Sequence, residues 1–195
     1  NDQEIRDNDR MILDGTFFAR VQPKTSLLFE VRWEDIDYTR ERNINTLDSQ
    51  EWRVYGGATW DATAKTSGTV KVGWLSKDFK EEFREDVSDF GWEVDLFWKP
   101  RTYSKVDLVT KRTPRESAAG LSDTVVVSSI RLNWVHHWKQ YLWSKVFGLA
   151  TDDDYNGTDR SDNRYHLGAG LFYQPRPWLE LGGEYRYETR TSNIK

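Results

Sequence analysis

Apolar and polar residues alternate with a period of two along almost the whole chain. Successive side chains of a β-strand point to opposite faces, so this alternation predicts strands with one apolar face and one polar face. The segments that follow the pattern lie at 10–22, 26–37, 51–61, 66–79, 89–99, 102–112, 122–138, 141–151, 163–173 and 178–190. The sequence therefore predicts an all-β, antiparallel, up-and-down architecture of about ten strands.

Most of the tryptophans fall on the apolar face, near the ends of the predicted strands. Soluble β-proteins usually bury tryptophan in mid-strand, whereas rings at both ends of an apolar face suit the two interfaces of a lipid bilayer. The pattern predicts a transmembrane β-barrel of the bacterial outer membrane, in contact with lipid and lipopolysaccharide. Its aromatic belt would consist of Trp33, Trp52, Trp60, Trp74, Trp92, Trp98, Trp134 and Trp138.

The amino-acid composition excludes several other classes of protein. The mean hydropathy of −0.81 is compatible with a barrel, because only alternate residues of each strand face lipid. No apolar run reaches the ~20 residues of a spanning helix, which excludes a helical membrane protein. The net charge of −4 gives no electrostatic basis for binding nucleic acid, and the absence of cysteine excludes disulfides and thiol chemistry. A soluble sandwich or lipocalin-like barrel is the alternative, which the end-of-strand tryptophans disfavour.

The connections alternate between short and long. Short turns are predicted at 23–25, 61–65, 99–102, 138–140 and 174–177, and longer polar loops at 38–50, 79–89, 113–121 and 151–163. Short periplasmic turns opposite long outer loops are typical of outer-membrane barrels. Four of the five prolines fall at or beside the short turns, and Pro114 is expected in a long loop.

The first predicted strand begins on the long-loop side and the last one ends there, so both ends of the chain are expected on that side. Outer-membrane barrels normally start and finish in the periplasm with an even number of strands. We therefore expect residues 1–195 to form a single β-barrel region, internal to a larger barrel of at least twelve strands.

The polar face carries charges of both signs. It predicts either a wall of cross-strand ion pairs or a lining for a polar polymer, without strong selectivity for one sign of charge. The candidate lumen-lining residues are Arg20, Glu30, Arg32, Arg53, Tyr55, Lys71, Glu93, Asp95, Lys105, Asp107, Arg131, Glu184 and Arg186. Tyr55, Phe97, Trp143 and Phe172 are candidate sugar-stacking rings, with core packing as the alternative role.

One loop resembles the start of a calcium-binding loop. Residues 152–157 read D-D-D-Y-N-G, so Asp152, Asp154 and Asn156 could supply oxygen ligands. The twelfth position is Asn163 instead of the usual glutamate, so an acidic turn is the preferred interpretation and a calcium site the alternative.

Catalytic motifs are missing from the sequence. It contains neither H-E-x-x-H nor G-x-S-x-G, and His166 with Asp162 is the one nearby acid–base pair on the long-loop side. We expect a protein that is not an enzyme and needs no cofactor, with a barrel hydrolase as the least favoured alternative.

Three stretches resemble a family of bacterial β-barrel porins that are often encoded with genes for exopolysaccharide biosynthesis and export. They are W-D-A-T-A-K-T-S-G-T-V-K-V-G at 60–73, D-F-G-W-E through W-K-P-R-T-Y-S within 89–104, and Y-H-L-G-A-G-L through R-P-W-L-E-L-G-G-E-Y-R-Y within 165–187. The resemblance implies a barrel that takes part in exopolysaccharide export, with the polymer and periplasmic export components as partners. A non-conducting scaffold or adhesin is the alternative.

Overall fold

The computed structural model describes residues 8–38, 48–63, 65–81, 86–116 and 124–194. Ten strands account for nearly all of them. They are β1 (Asn8–Gln22), β2 (Thr25–Tyr38), β3 (Ser49–Thr63), β4 (Thr66–Phe79), β5 (Val87–Arg101), β6 (Ser104–Glu116), β7 (Thr124–Lys139), β8 (Leu142–Tyr155), β9 (Ser161–Arg176) and β10 (Leu179–Ser192).

The strands form one antiparallel sheet in which each strand pairs with its neighbours in sequence. The all-β, up-and-down architecture expected from the alternation is confirmed. The sheet is open, with β1 and β10 as its two edges. Among the described residues, no helix is long and apolar enough to cross a membrane.

Cross-strand register assigns the side chains to two faces. Trp33 pairs with Trp52, and Trp98 and Trp134 both pair with Val106, on what we call the apolar face. The opposite face, which we call the polar face, carries the pairs Glu30–Tyr55 and Lys71–Glu93.

Burial is distributed oppositely to that of a soluble β-protein. Tyr55, Leu75 and Lys77 of the polar face are each only 1% exposed, whereas Leu13 and Leu171 of the apolar face are 67% and 55% exposed. The sheet therefore directs its large aliphatic side chains outward, which is stable only where those side chains face lipid or another apolar partner.

The strands extend further towards the long-loop side than the sequence predicted. β8 ends at Tyr155 and β9 begins at Ser161, so the expected loop at 151–163 is reduced to a turn at 156–160 around Gly157, whose φ is 73°. The other predicted long loops fall partly outside the described residues.

Pro114 lies in a strand, not in the loop expected for it. It pairs with Val126 of β7, while the ladder between β5 and β6 ends at Trp92 and Arg112. On its β5 side, Pro114 therefore lies beyond the last paired residue, where its missing N–H breaks no ladder bond.

Candidate functional site

The predicted belt tryptophans form two rows on the apolar face. On the long-loop side lie Trp33, Trp52, Trp74 and Trp92, and on the short-turn side lie Trp60, Trp98, Trp134 and Trp138. On β3, Trp52 and Trp60 are eight residues apart, and on β5, Trp92 and Trp98 are six residues apart. These intervals correspond to roughly 20–26 Å along a strand, or about 15–20 Å of height at a tilt near 40°. Both fit within the apolar band of a transmembrane barrel, which is about 25 Å tall.

Four of these indoles donate hydrogen bonds to hydroxyls of a neighbouring strand, and in each case the hydroxyl is diagonal to the ring. The pairs are Trp74 with Ser88 (2.8 Å), Trp92 with Thr110 (3.0 Å), Trp134 with Ser104 (3.0 Å) and Trp138 with Ser144 (3.1 Å). The indole N–H is thus satisfied within the wall, and the apolar body of each ring is free to contact lipid.

His136 belongs to the short-turn end of the apolar face. Its ring centroid lies 4.4 Å from that of Trp138, 5.5 Å from Trp134 and 5.4 Å from Tyr103. His137, the next residue along β7, lies instead on the polar face against Trp143.

On the polar face, β2–β5 contain a network made of two groups of ion pairs. Lys71 Nζ lies 2.9 Å from Glu30 and 2.7 Å from Glu93, so one ammonium joins three strands. Nearer the long loops, Glu51 pairs with both Lys77 and Arg53 at 2.9 Å. These acids and bases neutralise one another within the wall.

Tyr55 lies within this network. The Tyr55 side chain reaches across the sheet, and a Cβ added at Gly91 would lie 2.5 Å from its hydroxyl oxygen. Lys71 Nζ is 5.5 Å from the ring centroid. Because the ring is only 1% exposed, it packs into the wall and offers no free face to a sugar.

A second aromatic group on the polar face, half-buried, lies near the short turns. Trp143 and Phe172 stack with centroids 5.6 Å apart and planes 9° apart, and His137 stacks on the other side of Trp143 at 5.9 Å. Trp143 and Phe172 are two of the four candidate sugar-stacking rings, and the structure brings these two together. His137 was missed, although its odd number on β7 places it on the same face as Arg131 and could have identified it.

Glycines make room for these rings. A Cβ at Gly168 would lie 2.0 Å from Cε1 of Phe147, and a Cβ at Gly182 would lie 2.5 Å from Cδ1 of Phe172. The aromatic side chains of one strand therefore lie over bare backbone of the next strand.

A match to a protein-family model identifies the family of this sheet. The model described as "putative beta-barrel porin 2" covers residues 1–195. The chain belongs to this β-barrel porin family. The exopolysaccharide association of the resemblance is not part of that match.

One solved structure gives an independent view of this porin's fold. The FrpB iron transporter from Neisseria meningitidis (F3-3 variant) superposes with a TM-score of 0.54 at 9% identity, over 93% of this chain and 36% of that chain. The chain thus spans about a third of that transporter's length, and the likeness concerns the fold alone. No curated protein matches the sequence.

The remaining lumen-lining candidates of the porin lie on its polar face but are less connected. Glu184 and Arg186 contact each other along β10, and Arg32 lies 3.4 Å from Glu34. Among the described residues, no ion pair involves Arg20, Asp95, Lys105, Asp107 or Arg131.

The acidic stretch near Gly157 does not converge on one point. Asp154 faces Arg112 at 3.7 Å, whereas Asp153, on the opposite face of β8, bonds Arg164 at 2.6 Å. Within the described ranges, no group of three His, Asp or Glu residues has a geometry suited to a metal. The calcium loop of Asp152, Asp154 and Asn156 stays a prediction from the sequence.

Asp162, the second residue of β9, is the centre of a hydrogen-bond network beside the turn that joins β8 to β9. The carboxylate accepts hydrogen bonds from Arg160 (2.9 Å), Arg190 (2.6 Å) and Tyr155 (3.2 Å). The Arg160 guanidinium, helped by Ser192, Arg190 and Tyr155, holds the pKa of this carboxyl well below its usual range, although its burial acts the other way. His166 instead lies 3.6 Å from Glu188, so the acid–base pair suggested by the sequence is not assembled.

Proposed function

We propose that this chain forms part of the wall of a bacterial outer-membrane porin, through which polar solutes pass. The observation that carries the proposal is the division of one sheet into an apolar face with two tryptophan rows and a polar face rich in ion pairs. The apolar face suits lipid and lipopolysaccharide, and the polar face suits a water-filled passage.

We further propose that the solute is an exported exopolysaccharide, delivered by periplasmic export components. Support comes from the resemblance described above and from the stacked pair Trp143–Phe172 on the polar face. Aromatic rings beside hydrogen-bonding groups suit the apolar faces of sugar rings. The pair lies near the short turns, where a polymer would enter from the periplasm.

Conductance in planar lipid bilayers tests the passage. The purified protein should give stable channels, and the polymer made by the host should block them in a concentration-dependent way. A Trp143→Ala/Phe172→Ala variant should conduct but lose most of the block. A folded barrel that never conducts would overturn the proposal and support the alternative of a plugged scaffold or adhesin.

The same proposal assigns no catalytic step to the chain. Detergent-solubilised protein should leave peptide and lipid ester substrates unchanged, with a known outer-membrane hydrolase as the positive control. Turnover that is abolished by His166→Ala would instead identify a barrel hydrolase.

A further inference from the structure

A recess of about 330 Å³ opens on the polar face across β6–β9, towards the long-loop side. Its size lies at the low end of the range for small-molecule sites, about 300–1,000 Å³. Its charged lining is entirely basic. The basic residues are Lys111, Arg115, Arg131, Arg164 and His166.

Three of these cations are not neutralised. In the part of the chain that the structure describes, Lys111, Arg115 and Arg131 form no ion pair. Glu93 is directly opposite Lys111 in the register, but its carboxylate bonds Lys71 at 2.7 Å. The ion pairs of β2–β5 therefore have no counterpart at these three cations.

The two other basic groups are only partly engaged. Arg164 bonds Asp153 at 2.6 Å, and His166 Nδ1 lies 3.6 Å from Glu188. Both acids lie outside the lining of the recess.

Without a bound anion, the positive charges of the recess repel one another. Ser129 is directly opposite Lys111, and Arg131 is two residues further along the same strand, diagonal to Lys111. Like charges at such close cross-strand positions repel each other. An anion held between them would remove this repulsion.

The uncharged lining indicates what kind of anion fits. Ser129 and Thr151 place hydroxyls in the same cross-strand row as Lys111 and Arg164, and Val109 and Leu149 supply apolar surface. Guanidinium groups bind carboxylates through paired hydrogen bonds, while hydroxyls and apolar side chains suit the rest of a sugar ring.

We propose that this recess binds the carboxylate groups of an acidic carbohydrate. This inference rests on the proposed function, because it makes the recess a binding station for a carboxylated glycan on the polar face of the porin wall. The recess would therefore prefer anions, unlike the lining without preference for one sign of charge that was expected from the sequence.

Equilibrium binding in detergent tests the site independently of conductance. The ligands are trigalacturonate, neutral maltotriose and inorganic phosphate, titrated calorimetrically into the intact protein. Trigalacturonate should bind, and a Lys111→Gln/Arg115→Gln/Arg131→Gln variant should bind it at least about tenfold more weakly, because charge-assisted hydrogen bonds are lost.

The matched control is Lys24→Gln/Arg101→Gln/Lys139→Gln, which removes the same charge at the short turns and should leave binding unchanged. The proposal is overturned if trigalacturonate does not bind, binds no better than maltotriose or phosphate, or weakens equally in both variants. A protein that binds trigalacturonate but never conducts would reject the passage and keep the site.

Discussion

At the scale of single residues, the glycines on the polar face control where aromatic rings can lie. Gly168 is buried beneath the Phe147 ring, whereas a Cβ added at Gly183, on the apolar face of β10, would have no neighbouring atom within 4 Å. The two positions therefore separate the effect of a clash from the general effect of replacing glycine in a strand.

We expect Gly168→Ala to destabilise the protein by about 1–3 kcal/mol, because the added Cβ forces the Phe147 ring out of its position. Gly183→Ala, the control, should change the free energy of unfolding by no more than about 0.5 kcal/mol. Urea unfolding in lipid vesicles gives both values. Equal effects at the two positions would show that the ring does not depend on the glycine.

Asp162 should make stability sensitive to acid. It is the second residue of β9, beside the turn at the long-loop end of the strand, and its pKa is lowered in the folded protein chiefly by Arg160. An aspartate with a depressed folded pKa stabilises the fold above its unfolded pKa of about 3.9, and this stabilisation is lost as the pH falls towards the folded value.

Consequently, the wild type should lose more stability between pH 5 and pH 2.5 than Asp162→Asn does, and the variant should already be less stable at pH 7. Urea midpoints at the three pH values measure this difference. Asp159→Asn, an exposed acid of the same turn, should follow the wild type. A parallel pH dependence in Asp162→Asn would contradict the assignment.

Several residue-scale features could not be predicted from the sequence. Alternation assigned Tyr55, Lys71 and Arg131 to the polar face, but it does not specify which charges meet. The pairing of Lys71 with Glu93, and the consequent isolation of Lys111, depends on cross-strand register and side-chain reach. The hydrogen-bond donors of Asp162 likewise include Arg160 in the turn and Arg190 on β10, which is 28 residues away in sequence.

At the scale of strands, alternation and turn spacing were enough to predict ten strands in the correct order. The strand ends were predicted less well, because polar residues continue the ladder beyond the apolar face towards the long loops. Pro114 illustrates this difficulty. Proline normally disfavours a paired strand, and the sequence of β6 alone does not show that its pairing with β5 stops at Arg112, two residues before Pro114.

The contact between β6 and β7 includes the hydrogen bond that Trp134 donates to the Ser104 hydroxyl. Ser104 is only 6% exposed. A double-mutant cycle with Trp134→Phe and Ser104→Ala should give a coupling of about 0.5–1.5 kcal/mol in urea unfolding, the net value of one hydrogen bond. Additive effects of the two changes would mean that the indole N–H is satisfied by other groups.

At the scale of the whole molecule, the two tryptophan rows predict the depth of insertion. In variants that retain one tryptophan, Trp52 and Trp98 should both be quenched more by lipids brominated near the headgroup than by lipids brominated near the chain end. Trp143, on the polar face, serves as the control and should be quenched weakly by both. Strong quenching of Trp143 by chain-end bromine would reverse the assignment of the faces.

The diagonal indole–hydroxyl bonds also bear on how the sheet assembles. Sliding one strand past its neighbour by a single residue exchanges its two faces, which the alternation strongly opposes. A slide of two residues keeps apolar side chains outward and polar side chains inward, so alternation alone cannot distinguish it from the native alignment. Depending on its direction, it would, however, place Ser88, Thr110 and Ser104 either directly opposite Trp74, Trp92 and Trp134 or two residues further away, so the diagonal geometry of these hydrogen bonds would be lost. The hydrogen bonds of the tryptophan rows therefore favour one cross-strand register among several that the alternation alone would allow.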